Sequence, residues 1–102
     1  MDPLARFNQA RRHKLPFLRT LEDLDLLLEI RRAERCRAPL SMSEVLRLRL
    51  GSFATLQRQI RRLRGSDALV QRRSHLDRRQ LHLHLTRRAR GALTACERAL
   101  FT

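Results

Sequence analysis

Glycine is scarce in this chain, three in 102 residues. That scarcity excludes a glycine-rich cradle for nucleotide phosphates, which needs several close backbone approaches. Cysteine is as rare: Cys36 and Cys96 stand sixty residues apart, without the short paired spacing of a zinc site. Both read as reduced thiols, a redox switch being the alternative. No apolar run comes near the roughly 18–20 residues that cross a bilayer, and the N-terminal stretch lacks the hydrophobic centre of a secretory signal. The expectation is a cytoplasmic protein without a membrane segment. No Ser/His/Asp set and no paired carboxylates stand out, so the chain reads as a non-enzyme with no cofactor.

Acidic residues are few as well, 10 against 23 basic ones, for a net charge of +13. Self-repulsion on that scale is relieved most readily by a polyanion. Of the basic residues only Lys14 is a lysine; arginine presents a planar fork suited to phosphate and guanine. The charge is also unevenly placed. Glu22, Asp23, Asp25, Glu29 and Glu34 crowd one segment, which reads as turned away from a polyanion. From Arg47 to Arg90 there are thirteen arginines against only Asp67 and Asp77. The basic surface is expected in the C-terminal half.

At this length one domain is expected, with room for a single core. Residues 1–19, with Pro3, Pro16 and the cluster Arg11-Arg12-His13-Lys14, read as a basic arm or short helix. Thr20 with Asp23 approximates a capping box, and Leu21, Leu24 and Leu28 recur at helical spacing, which predicts a helix over about 20–35. Ser41 and Glu44 form a cleaner capping box for a short helix over 41–47 that buries Met42, Val45 and Leu46. After Gly51, Ser52 caps a helix over 52–64 whose Phe53, Leu56, Ile60 and Leu63 are expected to face inward. Gly65-Ser66-Asp67 supplies a turn, 68–73 reads as a strand, 74–79 as a turn and 80–85 as a second strand. In that strand Leu81, Leu83 and Leu85 alternate inward against Gln80, His82 and His84. Thr86 caps a last helix with Ala89, Leu93, Cys96 and Leu100 on one face.

Mostly α with a small antiparallel hairpin, this order is a winged helix-turn-helix over 20–85, flanked by 1–19 and a C-terminal helix in 86–102. Opposite the apolar stripe, the 52–64 helix carries Ala54, Thr55, Arg58, Arg61 and Arg62, with Gln57 on its flank and no acid. Small polar residues and glutamine followed by arginines suit a helix in a major groove. The hairpin adds Arg72, Arg73, His75, Asp77, Arg78 and Arg79, and a wing arginine can enter a minor groove where negative potential is focused. Together with the helix-capping Ser52, these are the candidate DNA-contacting residues. His82-x-His84 has the spacing of some metal pairs, but nothing nearby completes a set, and both read as strand histidines.

"DRRQLHLHLT" at 77–86 resembles the wing signature of MarR-type winged helix regulators, and "ATLQRQIRRL" at 54–63 is similar to that family's recognition helix. The resemblance covers roughly 40–95. It implies sequence-specific binding of double-stranded DNA by a symmetric dimer, with Thr55, Gln57 and Arg58 near bases and a wing arginine oriented by Asp77. The chain departs from the pattern at Ala89, where the family carries glycine, and in the early placement of Gly65. Family members are longer, so the implied homodimer seam falls to residues 1–19 and 86–102, with Leu15, Phe17, Leu18, Leu93 and Leu100 as its apolar side chains. Two function classes stand: a DNA-binding transcription regulator, nucleoid-associated when bound, and a winged helix module for protein interaction or RNA binding.

Overall fold

The computed structural model describes residues 2–14 and 18–101. Its elements run α1 (Pro3–Lys14), α2 (Leu21–Arg35), α3 (Met42–Arg47), α4 (Phe53–Gly65), β1 (Leu69–Arg73), β2 (Leu81–Leu85) and α5 (Arg87–Phe101). The mostly helical winged helix architecture is therefore as expected.

Local chemistry explains most boundaries. The Thr20 hydroxyl accepts the Asp23 N–H and opens α2, and the Ser52 hydroxyl accepts the Thr55 N–H and opens α4. At α3 the full capping box forms: Ser41 Oγ accepts from Glu44 N, and the Glu44 carboxylate accepts from Ser41 N. The Ala89 N–H donates to Thr86 Oγ1 at 3.1 Å at the start of α5. Two helices end without the usual glycine. Arg37 and Asp67 take the left-handed conformation, φ 56 and 60, just past α2 and α4. The next N–H in each case reaches back, Ala38 to the Ala33 carbonyl and Ala68 to the Leu63 carbonyl, both at 2.9 Å.

β1 and β2 form an antiparallel hairpin with Leu69 opposite Leu85, Gln71 opposite Leu83 and Arg73 opposite Leu81. The far edge of β2 is covered too: Leu83 N–H donates to the Leu40 carbonyl at 2.8 Å, and Ser41 bridges His82. This ties the start of α3 to the wing. The core joins Leu26, Leu27 and Ile30 of α2, Val45 of α3, Leu56, Ile60 and Leu63 of α4, Leu83 and Leu85 of β2, and Ala89, Leu93 and Cys96 of α5. Burying such side chains is the main source of stabilisation, roughly 1.5–3 kcal/mol each.

Four expectations need correcting. Of the two readings of the N-terminal segment the short helix holds, but it does not stand apart from the core: residues 3–14 pack along α5 with Phe7 against the core. Phe53 is 51% exposed, because the buried stripe of α4 is Leu56, Gln59, Ile60 and Leu63, and Phe53 lies beyond its edge. Leu81 is exposed, since it opens β2 where the hairpin leaves the core. Leu18 and Leu93, assigned to a dimer seam, are buried in the chain's own core. Leu15, Phe17 and the Leu100 side chain lie outside the described residues.

Candidate nucleic-acid interface

α4 presents Ala54, Thr55, Gln57, Arg58 and Arg61 to solvent. The stripe Leu56, Gln59, Ile60 and Leu63 anchors it from beneath, so these side chains point away from the molecule. At its N-terminus the Ser52 hydroxyl donates to Thr55 Oγ1 at 2.9 Å. Ser52 is thereby committed to shaping the helix start while still exposed. Arg58 lies back along the helix, its Nε donating to the Ala54 carbonyl at 3.4 Å, and its head stays in water.

Arg62 is placed differently. Its Nη2 donates to Asp23 Oδ1, beside Gln59 Nε2, which donates to the same oxygen at 2.9 Å. Asp23 is wholly buried, and its second oxygen accepts the Arg19 N–H at 2.9 Å. Burial alone would raise this carboxyl, but hydrogen bonds from Arg62, the Arg19 N–H and Gln59 outweigh it and hold the group below the ordinary aspartate value. Arg62 is thus drawn toward α2 instead of standing with Arg58 and Arg61 on the open face, and the acidic segment of α2 meets α4 where sequence reasoning separated them. One signal was available: Gln59 is a polar residue inside the apolar arc of α4, and a buried amide needs a partner.

The wing is a braced turn. Ser74 Oγ accepts the N–H groups of Leu76 at 3.1 Å and Asp77 at 3.3 Å. Ser74 N–H donates to the Gln80 carbonyl and Gln80 N–H to the Asp77 carbonyl, both at 3.0 Å. Asp77 Oδ1 accepts the Arg79 N–H at 3.0 Å, so the carboxylate caps the turn's backbone. Arg73 Nη1 donates to the Arg78 carbonyl at 2.8 Å, which stiffens the hairpin from within. Arg72, His75, Arg78 and Arg79 are exposed around this turn. Leu76 at its tip is 99% exposed, a feature sequence reading passed over.

A stack of helices whose second helix-turn-helix member carries an exposed basic face, with a braced arginine wing beside it, can be compared with known folds. No protein-family model and no curated protein matches this chain. Among solved structures it matches MepR of S. aureus bound to ethidium bromide, at 17% identity and a TM-score of 0.75 over 93% of this chain and 67% of that one. A transcriptional regulator of Thermotoga maritima follows at 19% identity and a TM-score of 0.71, over 96% and 66%. Overoxidized AbfR bound to DNA is 22% identical, with a TM-score of 0.65 over 95% and 66%. The fold is that of the MarR-type winged helix regulators. This chain spans about two thirds of the length of these MarR-type structures.

Within the MarR-type frame the sequence-assigned residues fall into two groups. Thr55, Gln57, Arg58 and Arg61 share the open face of α4, with Ala54 between them. Arg72, His75, Arg78 and Arg79 surround the wing turn, while Ser52, Arg62, Arg73 and Asp77 are engaged in holding the scaffold. His84 turns from the strand toward Glu34, Nδ1 to Oε2 at 3.3 Å, and the same carboxylate accepts Arg90 Nη2 at 2.7 Å. Among the described residues no group of three His, Cys, Asp or Glu side chains is arranged to hold a metal. Nor, among the described residues, is any helix long and apolar enough to cross a membrane.

Proposed function

We propose that this protein is a sequence-specific double-stranded DNA-binding transcription regulator, with α4 in the major groove and the 74–79 wing reaching toward the minor groove. The observation that carries the reading is the open face of α4. Thr55, Gln57, Arg58 and Arg61 are exposed together on a helix without one acidic residue. Arg78 and Arg79 are exposed on a turn braced by its own hydrogen bonds. Thr55, Gln57 and Arg58 take the base-reading role, since short polar and amide groups near a helix start fit base edges. Arg61, Arg72 and the wing arginines supply phosphate and minor-groove contacts. The likeness to a fold solved on DNA supports the same reading. Pairing into a homodimer belongs to it, because two recognition helices one helical turn of DNA apart read a palindrome.

The test is selection of bound sequences from a random duplex pool, beside a shift assay against structured RNA. A discrete consensus is expected, and Arg58→Ala should weaken binding to it by about 1–3 kcal/mol while relaxing specificity at one position. Equal affinity for all duplexes, or preference for structured RNA, overturns the reading in favour of an RNA or protein module.

A further inference from the structure

The buried Asp23 lies outside the DNA-facing surface, yet three donors converge on it, two of them from the recognition helix. Gln59 and Arg62 share its Oδ1, the Arg19 N–H takes Oδ2, and its own N–H is held by Thr20 Oγ1 at 3.2 Å. A carboxylate removed from water is costly unless its donors are well placed, so the α2–α4 contact has one favoured geometry. Arg58 and Arg62 lie one helical turn apart on α4. One is in water, and the other is drawn back with its side chain 24% exposed. Asp23 is a buried acid that engages one of these two like cations and not the other.

Resting on the DNA-binding reading, we propose that Asp23 is a positioning residue for sequence discrimination: it fixes the roll of α4 through Gln59 and holds Arg62 off the DNA backbone. A free Arg62 would add a phosphate contact that carries no base information. It would strengthen binding to every sequence alike, adding salt dependence but no discrimination. Asparagine at position 23 keeps one acceptor oxygen where the carboxylate had two, so either Gln59 or the Arg19 N–H is left facing an amide NH2; the roll of α4 loosens, and it is this that lowers the discrimination by Thr55, Gln57 and Arg58.

The experiment measures binding to the selected duplex and to random duplex over a salt series for wild type, Asp23→Asn, Arg62→Gln and the double variant. Asp23→Asn is expected to steepen the salt slope on random DNA by about one unit and to lower the selected-to-random affinity ratio roughly tenfold, about one base readout. The double variant should return to the wild-type slope. Arg62→Gln alone should leave that slope unchanged, since Arg62 is held off phosphate while Asp23 keeps Gln59 and Arg19 as partners. A slope lowered by about one in Arg62→Gln overturns the proposal, as does a folded Asp23→Asn with both slope and ratio unchanged, which would make the ion pair structural only. If Asp23→Asn does not fold, Arg62→Gln decides alone. Either overturning result leaves wild-type discrimination intact, whereas a wild type that discriminates no duplex removes both this proposal and the DNA-binding reading.

Discussion

Cys36 and Cys96 carry the same thiol in opposite settings. Cys36 is exposed at the C-terminal cap of α2. Cys96 is 1% exposed on α5; burial pushes its thiol up, only partly opposed by Arg11. A thiol that is both sterically covered and less ionised reacts slowly. Mass spectrometry after maleimide treatment of the native protein should show one label, on Cys36, with the second appearing only in denaturant. Two labels at equal rates under native conditions would contradict the packing of α1 over α5. Residue-scale properties divide by how far away their cause lies. Both thiols are visible in the sequence, but their difference depends on what packs over them. Arg58 and Arg62 divide the same way, being chemically alike and set apart by an acid 39 positions from Arg62.

Helix starts and helix ends differ in how openly the sequence declares them. Thr20, Ser41 and Ser52 mark their helices because a hydroxyl that accepts an N–H three residues on is a local device, complete within four residues. The ends after α2 and α4 are hidden, because Arg37 and Asp67 occupy positions where glycine is the usual signal. A left-handed backbone costs an L-residue about 1–2 kcal/mol, part of which glycine gives back through its freer unfolded chain. Arg37→Gly should therefore stabilise the protein by roughly 0.5–1 kcal/mol in urea unfolding. A loss of stability would show that the exposed Arg37 side chain makes a contribution larger than the strain it imposes. The same scale explains the misplacement of Phe53. Counting apolar residues puts it on the stripe, but the arc is completed by a polar residue, Gln59, and the phenyl ring falls outside.

For the molecule as a whole, charge and assembly are linked. A net charge of +13 on so small a body favours association with a polyanion over self-association, so the proposed pairing has that repulsion to overcome. Leu18 and Leu93 are spent inside the chain, and Leu4 on α1 is left 69% exposed near the surface that α1 and α5 form together. Light scattering at micromolar concentration is expected to give twice the 12.1 kDa chain mass. A monomer mass, with and without DNA, would remove the dimer from the proposed function. By itself the sequence determined the order of the elements from residue 20 onward, the caps that open four of the helices, the two strands of the hairpin and the helix that carries the basic face. These follow from periodicity and short-range hydrogen bonds, whose partners lie within a few residues. Only the tertiary structure decided that Asp23 meets Gln59 and Arg62, 36 and 39 residues on, that Glu34 gathers His84, Leu85 and Arg90, and that the exposed Arg73 braces the wing through the Arg78 carbonyl. Such pairings answer to where packing the apolar core brings the helices, and a buried acid then takes whichever donors that packing delivers.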